Sequence, residues 1–211
     1  MRRTMTGLDN LKKYHIILAS RSPRRRHLLK ELGISFEPAD LETDESYPDD
    51  LQREEIALHL ATSKASAFPA SDLKENTLLI TADTIVCLDH HIIGKPADRN
   101  EAIRLLKRLS GKKHEVITGV CLRTSSFTRS FFCETDVYFR ELSEEEITYY
   151  VDHYLPLDKA GAYGAQEWIG YVGITRINGS YFNVMGLPVH QLYEELKKIG
   201  TETYERQDHT D

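Results

Sequence analysis

The chain has no apolar run long enough to cross a membrane, no basic surplus and no cysteine pair at metal or redox spacing. A net charge of −6 argues against a general nucleic-acid binder, which needs a positive surface to meet phosphates. The three cysteines, Cys87, Cys121 and Cys133, lie in apolar or β-rich stretches and read as buried, reduced thiols. The nine histidines are scattered and show no metal-binding spacing, and His90-His91 falls where a hairpin tip is expected. The polar start (MRRTMTGLD) has no export signature. Together these absences predict a soluble cytoplasmic protein with no membrane or nucleic-acid partner.

The 211 residues suffice for one large domain with a substantial core. Residues 1–13 read as an N-terminal extension, 14–200 as the domain and 201–211 as a polar tail. Apolar runs at 14–20, 78–87 and 92–94 predict strands, the last two forming a hairpin. Residues 114–124 and 130–140 predict a long antiparallel pair, and 171–177 an extended segment. Helical spacing marks 23–32, 50–67, 98–110, 143–154 and 188–199, with Gly33 and Gly111 as helix stops. The class is mixed α/β around a single sheet.

Where the first strand meets the first helix the chain reads SRSPRRR, Ser20 to Arg26. Ser22 is a good N-cap and Pro23 suits the first helical position. Arginines then crowd the positive end of the helix dipole, where each cation is disfavoured by about 0.3–1 kcal/mol. Free backbone N–H groups and guanidinium groups together suit a polyanion such as a phosphate chain. A capped helix with arginines in water is the competing interpretation.

Asp83 interrupts the apolar strand ITADTIV, where an unpartnered carboxylate costs several kcal/mol or becomes protonated. A two-residue turn at Asp89-His90 places Lys95 opposite Thr84, and a one-residue bulge places it opposite Asp83. Either register predicts the Lys95 ammonium near this pair. The acidic loop from Asp40 to Pro48 offers Glu42, Asp44 and Glu45, and small residues surround Lys64 in TSKASA. If the substrate is a triphosphate, Mg²⁺ is the usual helper and takes one or two carboxylates, for which Glu45 and Asp83 are candidates.

The runs LASRSPRR (Leu18–Arg25), ADTIV (Ala82–Val86), GKP (Gly94–Pro96), DKAGAYG (Asp158–Gly164) and GSYFNVMGLP (Gly179–Pro188) occur in that order. With Ser110-Gly111 and Thr118-Gly119, they resemble the Maf family of nucleoside triphosphate pyrophosphatases over residues 14–198. The resemblance implies a two-lobed α/β fold with an elongated mixed sheet and a central cleft, similar to inosine triphosphate pyrophosphatases. It also implies a divalent metal (Mg²⁺ or Mn²⁺), release of pyrophosphate from a nucleoside triphosphate, and a homodimer in many members. Position by position it makes Asp83 the catalytic carboxylate and Glu45 a metal or water ligand. Ser20, Ser22, Arg24, Arg25, Lys64 and Lys95 become groups that contact the nucleotide or its phosphates, while Arg26 has no counterpart and reads as solvated.

One branch of the family looks like a 7-methyl-GTP pyrophosphatase and another like a dTTP/UTP pyrophosphatase. The first carries Trp, Gln and Glu where this chain has Arg24, Thr84 and Gln166. A Gln amide both donates and accepts, which suits the edge of uracil or thymine, so the sequence favours dTTP and UTP. The segment after Gln166 is a departure: it reads EWIGYVG, one residue longer than usual and without the common glycine after Gln. The alternatives are 7-methyl-GTP hydrolysis, or a nucleotide-binding regulator of septum formation whose hydrolysis is incidental.

Overall fold

The computed structural model describes residues 7–41 and 43–199. Its strands are β1 (His15–Ala19), β2 (Glu37–Ala39), β3 (Thr77–Leu88), β4 (His91–Ile93), β5 (Lys113–Arg123), β6 (Thr128–Phe139) and β7 (Ile174–Asn178). The α-helices are α1 (Pro23–Glu31), α2 (Arg53–Ala67), α3 (Arg99–Leu109), α4 (Glu144–Tyr154), α5 (Trp168–Gly173), α6 (Tyr181–Val184) and α7 (Val189–Lys198). Short 3-10 turns form at Asp9–Lys13, Pro156–Asp158 and Ala160–Ala162.

All seven strands join one mixed sheet in the order β2-β1-β3-β5-β6-β7, with β4 attached to β3. β1 runs parallel to β2 and β3, and the other pairings are antiparallel. β5 covers one edge of β3 from Leu79 to Cys87. On the opposite edge β1 pairs as far as Ile80, and β4 begins only at Val86. The edge from Thr81 to Ile85 therefore has no neighbouring strand among the described residues, and Asp83 sits at its centre.

The two faces of β3 are packed differently because successive side chains alternate across the sheet. Leu78, Ile80 and Ala82 join a core cluster with α1 and α7, whereas Val86 and Leu88 join a second cluster with α3 and α4. Thr84 lies between these two clusters on the same face. The opposite face carries Leu79, Ile85 and Cys87 against Ile56, Ala57, Leu60, Ala61 and Ala65 of α2. α2 approaches closely because Gly119 of β5 has no side chain: a Cβ there would lie 2.2 Å from the Ala57 carbonyl oxygen. Thr81 Oγ1 donates to the Ala61 carbonyl at 2.7 Å and fixes the helix along the strand.

Several local signals act as the sequence predicts. Ser22 caps α1 with Pro23 in its first turn, and Ser143 and Glu146 form a capping box at α4. Gly33 and Gly111 follow their helices with φ of 78° and 70°. Asp89 and His90 both take positive φ, the geometry of a two-residue hairpin turn whose twist matches the strands. Cys87 and Cys121 are buried free thiols whose pKa values burial pushes up to about 12 and about 11; Cys133 is partly buried.

Other expectations change. Residues 171–173 are the end of α5 rather than extended chain, and β7 begins at Ile174. Gly170 permits that helix, since a Cβ there would meet the Ala165 carbonyl oxygen at 2.0 Å. β2 was not anticipated; its three residues pair in parallel with Ile17–Ala19. Of the expected N-terminal extension, residues 7–13 are described. Leu8 and Leu11 are buried in the first cluster, and Asn10 Nδ2 donates to the Leu196 and Ile199 carbonyls. The tail 201–211 lies outside the described residues, as does Glu42. No helix among the described residues is long and apolar enough to cross a membrane.

Candidate active site

A cavity of about 570 Å³ opens beside the uncovered edge of β3, a size suited to a small ligand. Ser20, Ser22, Arg24, Arg25, Glu45, Lys64, Asp83, Thr84, Lys95 and Gln166 all line it. They come from the β1–α1 junction, the acidic loop, α2, β3, the segment after β4 and the glycine-rich segment before α5. Sequence distance hides this convergence, which the gap between β1 and β4 creates.

The arginine-rich helix start is satisfied by protein acceptors. Ser22 Oγ accepts from the Arg25 backbone N–H at 3.4 Å, and Ser20 Oγ accepts from the Ser22 N–H at 3.2 Å. Arg24 Nη1 pairs with Asp158 at 3.1 Å. Arg25 donates from Nε to the Gly186 carbonyl (2.8 Å), from Nη1 to the Ala82 carbonyl (2.7 Å) and from Nη2 to Thr84 Oγ1 (2.9 Å). It thereby occupies the vacant hydrogen-bonding edge of β3. Desolvation lowers its pKa, an effect that the Asp83 charge partly offsets. Arg26, read from the sequence as solvated, has a side chain 34% exposed and also finds partners. Its Nε donates to the Ser20 carbonyl at 2.8 Å and its Nη2 reaches Asp40 at 2.5 Å. These acceptors explain how three cations tolerate the positive end of one helix.

Asp83 finds its partner on α2 rather than on the hairpin. Its Oδ2 accepts from Lys64 Nζ and its Oδ1 from the Thr84 N–H at 2.8 Å. Lys64 also lies 3.3 Å from Glu45 Oε1, so one ammonium group joins both expected metal carboxylates. The hairpin has the register that the two-residue turn dictates, but pairing stops at Val86–Ile93. Lys95 lies beyond it and binds both Glu45 oxygens, at 3.0 and 2.9 Å, lining the same cavity as Asp83. Burial alone would raise the Glu45 pKa, but the two lysines outweigh it and hold the carboxyl below its usual value.

Thr84 closes a directed chain of hydrogen bonds. It accepts from Arg25, and its hydroxyl lies 2.9 Å from Thr118 Oγ1, which donates to the Asn183 carbonyl at 3.2 Å. With Thr118 donating onward, the Thr84 proton points to Thr118. Gln166 presents a different picture: its Oε1 is buried and has no hydrogen-bond partner.

Three further lining residues carried no assigned role in the sequence. Asp158 and Lys159 pair at 2.7 Å, and Lys159 also reaches Glu167 at 3.2 Å. Tyr163 bonds His114 Nε2 at 2.7 Å beneath the cavity. The DKAGAYG motif marked the first two and Tyr163 without saying what they touch. A lysine beside an aspartate in a glycine-rich segment is the one sequence signal that singles them out.

Among the described residues, one group of three carboxylates is close enough to share a cation: Glu115, Glu134 and Asp136. None lines the cavity. Arg53 bridges the first two and Lys113 bridges Glu115 and Asp136, so resident cations already balance the group.

The chain matches the Maf-like protein family over residues 15–199. It is 56% identical over 193 residues to the dTTP/UTP pyrophosphatase of Phocaeicola vulgatus, covering 91% of this chain and 100% of that protein. A dTTP/UTP pyrophosphatase of Porphyromonas gingivalis is 54% identical over 195 residues, with 92% and 98% covered. One from Christiangramia forsetii is 48% identical over 189 residues, with 90% and 96% covered. The match spans the sheet, the cavity and every residue placed around it, and the chain belongs to the Maf-like protein family.

Proposed function

We propose that the protein hydrolyses dTTP and UTP to the nucleoside monophosphate and pyrophosphate, acting as a cytoplasmic nucleotide-pool enzyme. The observation that carries this reading is the Lys64 ammonium joining Asp83 and Glu45 at the edge of a cavity that also holds an arginine-rich helix start. Relatives named dTTP/UTP pyrophosphatase at 54–56% identity support the substrate assignment. The two apolar clusters flanking Thr84 would serve as the lobes of the cleft.

In this scheme the triphosphate lies along Ser20, Ser22 and the start of α1, with Lys64 and Lys95 countering its charge. Arg25, held by three protein acceptors, contributes a fixed positive charge behind the phosphates rather than a mobile clamp. Asp83 takes a proton from a water as that water bonds to the α-phosphorus; the bond to the bridging oxygen breaks and pyrophosphate leaves. Two carboxylates drawn to one ammonium form an all-oxygen set that suits Mg²⁺ or Mn²⁺. A divalent cation bound by Glu45 and Asp83 would neutralise phosphate charge and acidify the water. Homodimer formation belongs to the same proposal, and light scattering on the purified protein checks it.

The test is a panel of nucleoside triphosphates with Mg²⁺ or Mn²⁺ and analysis of both products. Pyrophosphate with dTMP or UMP is expected, and chelation of the metal should stop the reaction. Orthophosphate with a nucleoside diphosphate would overturn the mechanism. A strong preference for 7-methyl-GTP would overturn the base assignment.

A further inference from the structure

We propose that Lys159 reads the C4 carbonyl of the pyrimidine and so separates uracil and thymine from cytosine. This rests on the dTTP/UTP reading above and adds to it a residue that rejects the aminopyrimidine.

Lys159 lines the cavity, yet its side chain is only 8% exposed. Its Nζ carries three donors, and two carboxylates hold it: Asp158 at 2.7 Å and Glu167 at 3.2 Å. Both carboxylates are themselves anchored. Asp158 is paired with Arg24, and Glu167 accepts from the Tyr150 hydroxyl, which in turn accepts from the Gly164 N–H at 3.0 Å. The ammonium is thus fixed in position with a third donor to offer.

Gly164 brings the Glu167 carboxylate that holds this ammonium beside Gln166. A Cβ on Gly164 would lie 2.7 Å from Glu167 Cδ and 3.0 Å from Gln166 Nε2, so both side chains fold back over the bare glycine. The Lys159 partner and the Gln166 amide therefore share one small surface. The buried, unpartnered Gln166 Oε1 awaits a donor. The N3–H of uracil or thymine is such a donor, with carbonyls on either side of it. Gln166 takes N3–H through Oε1 and O2 through Nε2, and Lys159 donates to O4.

Lysine and glutamine discriminate by different chemistry. Turned over for cytosine, the Gln166 amide donates to N3 but sets its Oε1 against O2, so it keeps one of its two contacts. An ammonium only donates. Opposite the cytosine amino group it finds another donor, and the third N–H of the ammonium is left without an acceptor.

Steady-state kinetics of the intact protein and of Lys159→Met with UTP, CTP and 4-thio-UTP test this. In the unaltered protein, kcat/KM should fall about tenfold or more from UTP to CTP, and by a smaller factor to 4-thio-UTP, because sulfur accepts hydrogen bonds weakly. In Lys159→Met the UTP-to-CTP ratio should shrink at least tenfold and the thio penalty should vanish. A role confined to holding the segment would lower all three substrates alike, and an unchanged ratio would overturn the proposal. Should Lys159→Met fail to fold, equal kcat/KM for UTP and 4-thio-UTP in the unaltered protein overturns it on its own. Absence of UTP and dTTP turnover by the unaltered protein would overturn the underlying activity and this proposal with it, whereas turnover with an unchanged ratio removes Lys159 alone.

Discussion

Lys64 and Lys95 both bind Glu45, but only Lys64 also binds Asp83, and their surroundings differ accordingly. The Lys64 side chain is 16% exposed and that of Lys95 50%. Removing Lys64 leaves the Asp83 carboxylate, whose side chain is 12% exposed, without its cation, whereas Glu45 is half exposed and keeps Lys95. Breaking the Lys64–Asp83 pair costs about 3 kcal/mol. Removing Lys95 breaks an exposed contact worth about 0–1 kcal/mol. Lys64→Met should therefore lower the denaturation midpoint clearly and reduce pyrophosphate release by about a hundredfold or more. Lys95→Met should leave the midpoint nearly unchanged and cost about tenfold in turnover. Equal stability losses in the two variants would show that Lys64 is not the keystone of the carboxylate pair. Asp83→Asn keeps the shape of the site and an acceptor for Lys64, so turnover should fall by about a thousandfold with the fold retained.

Gly119 and Gly94 separate the effects of packing from those of losing a glycine. A Cβ at Gly119 would meet the α2 backbone at Ala57, whereas one at Gly94 meets nothing within 4 Å. Gly119→Ala should push α2 off β5 and carry Lys64 away from Asp83, which sits opposite Gly119 in the sheet register. Overpacking against backbone costs about 1–3 kcal/mol, and turnover should fall with it. Gly94→Ala should be close to neutral in thermal unfolding. The same comparison explains what the sequence could disclose. Local rules were sufficient for the Ser22 cap, the Asp89-His90 turn and the hairpin register, because each depends on residues adjacent along the chain. They could not find the Lys64–Asp83 pair, which depends on how closely α2 lies on the strand that follows it. Nor could they place Arg24 and Arg25 on acceptors from distant segments, or see that Lys95 would bind Glu45 of the acidic loop. The family resemblance named residues that line one cavity; it did not say which touches which.

Across the whole molecule, the core holds a titratable group that should govern acid stability. His114 is 1% exposed, edged by the rings of Phe139 and Tyr163, with Nε2 on the Tyr163 hydroxyl and Nδ1 without a partner. Burial lowers its pKa from 6.5 to about 4. Between these values the unfolded chain binds a proton at this position that the folded protein does not. Stability therefore rises with pH through the window and is lost as pH falls from about 6.5 towards 4. At pH 4.5 the loss attributable to His114 amounts to about 2–3 kcal/mol. His114→Gln retains a hydrogen-bonding partner for Tyr163 but cannot titrate. Urea unfolding at pH 7.5 and pH 4.5 should show a smaller acid-induced loss in the variant, by about that amount. An identical loss in both proteins would mean that carboxylates such as Glu45 and Asp158 dominate acid unfolding. Since Tyr163 lines the cavity directly above His114, protonation should also disturb the cavity floor, and turnover in the unaltered protein should decline over the same interval before the chain unfolds.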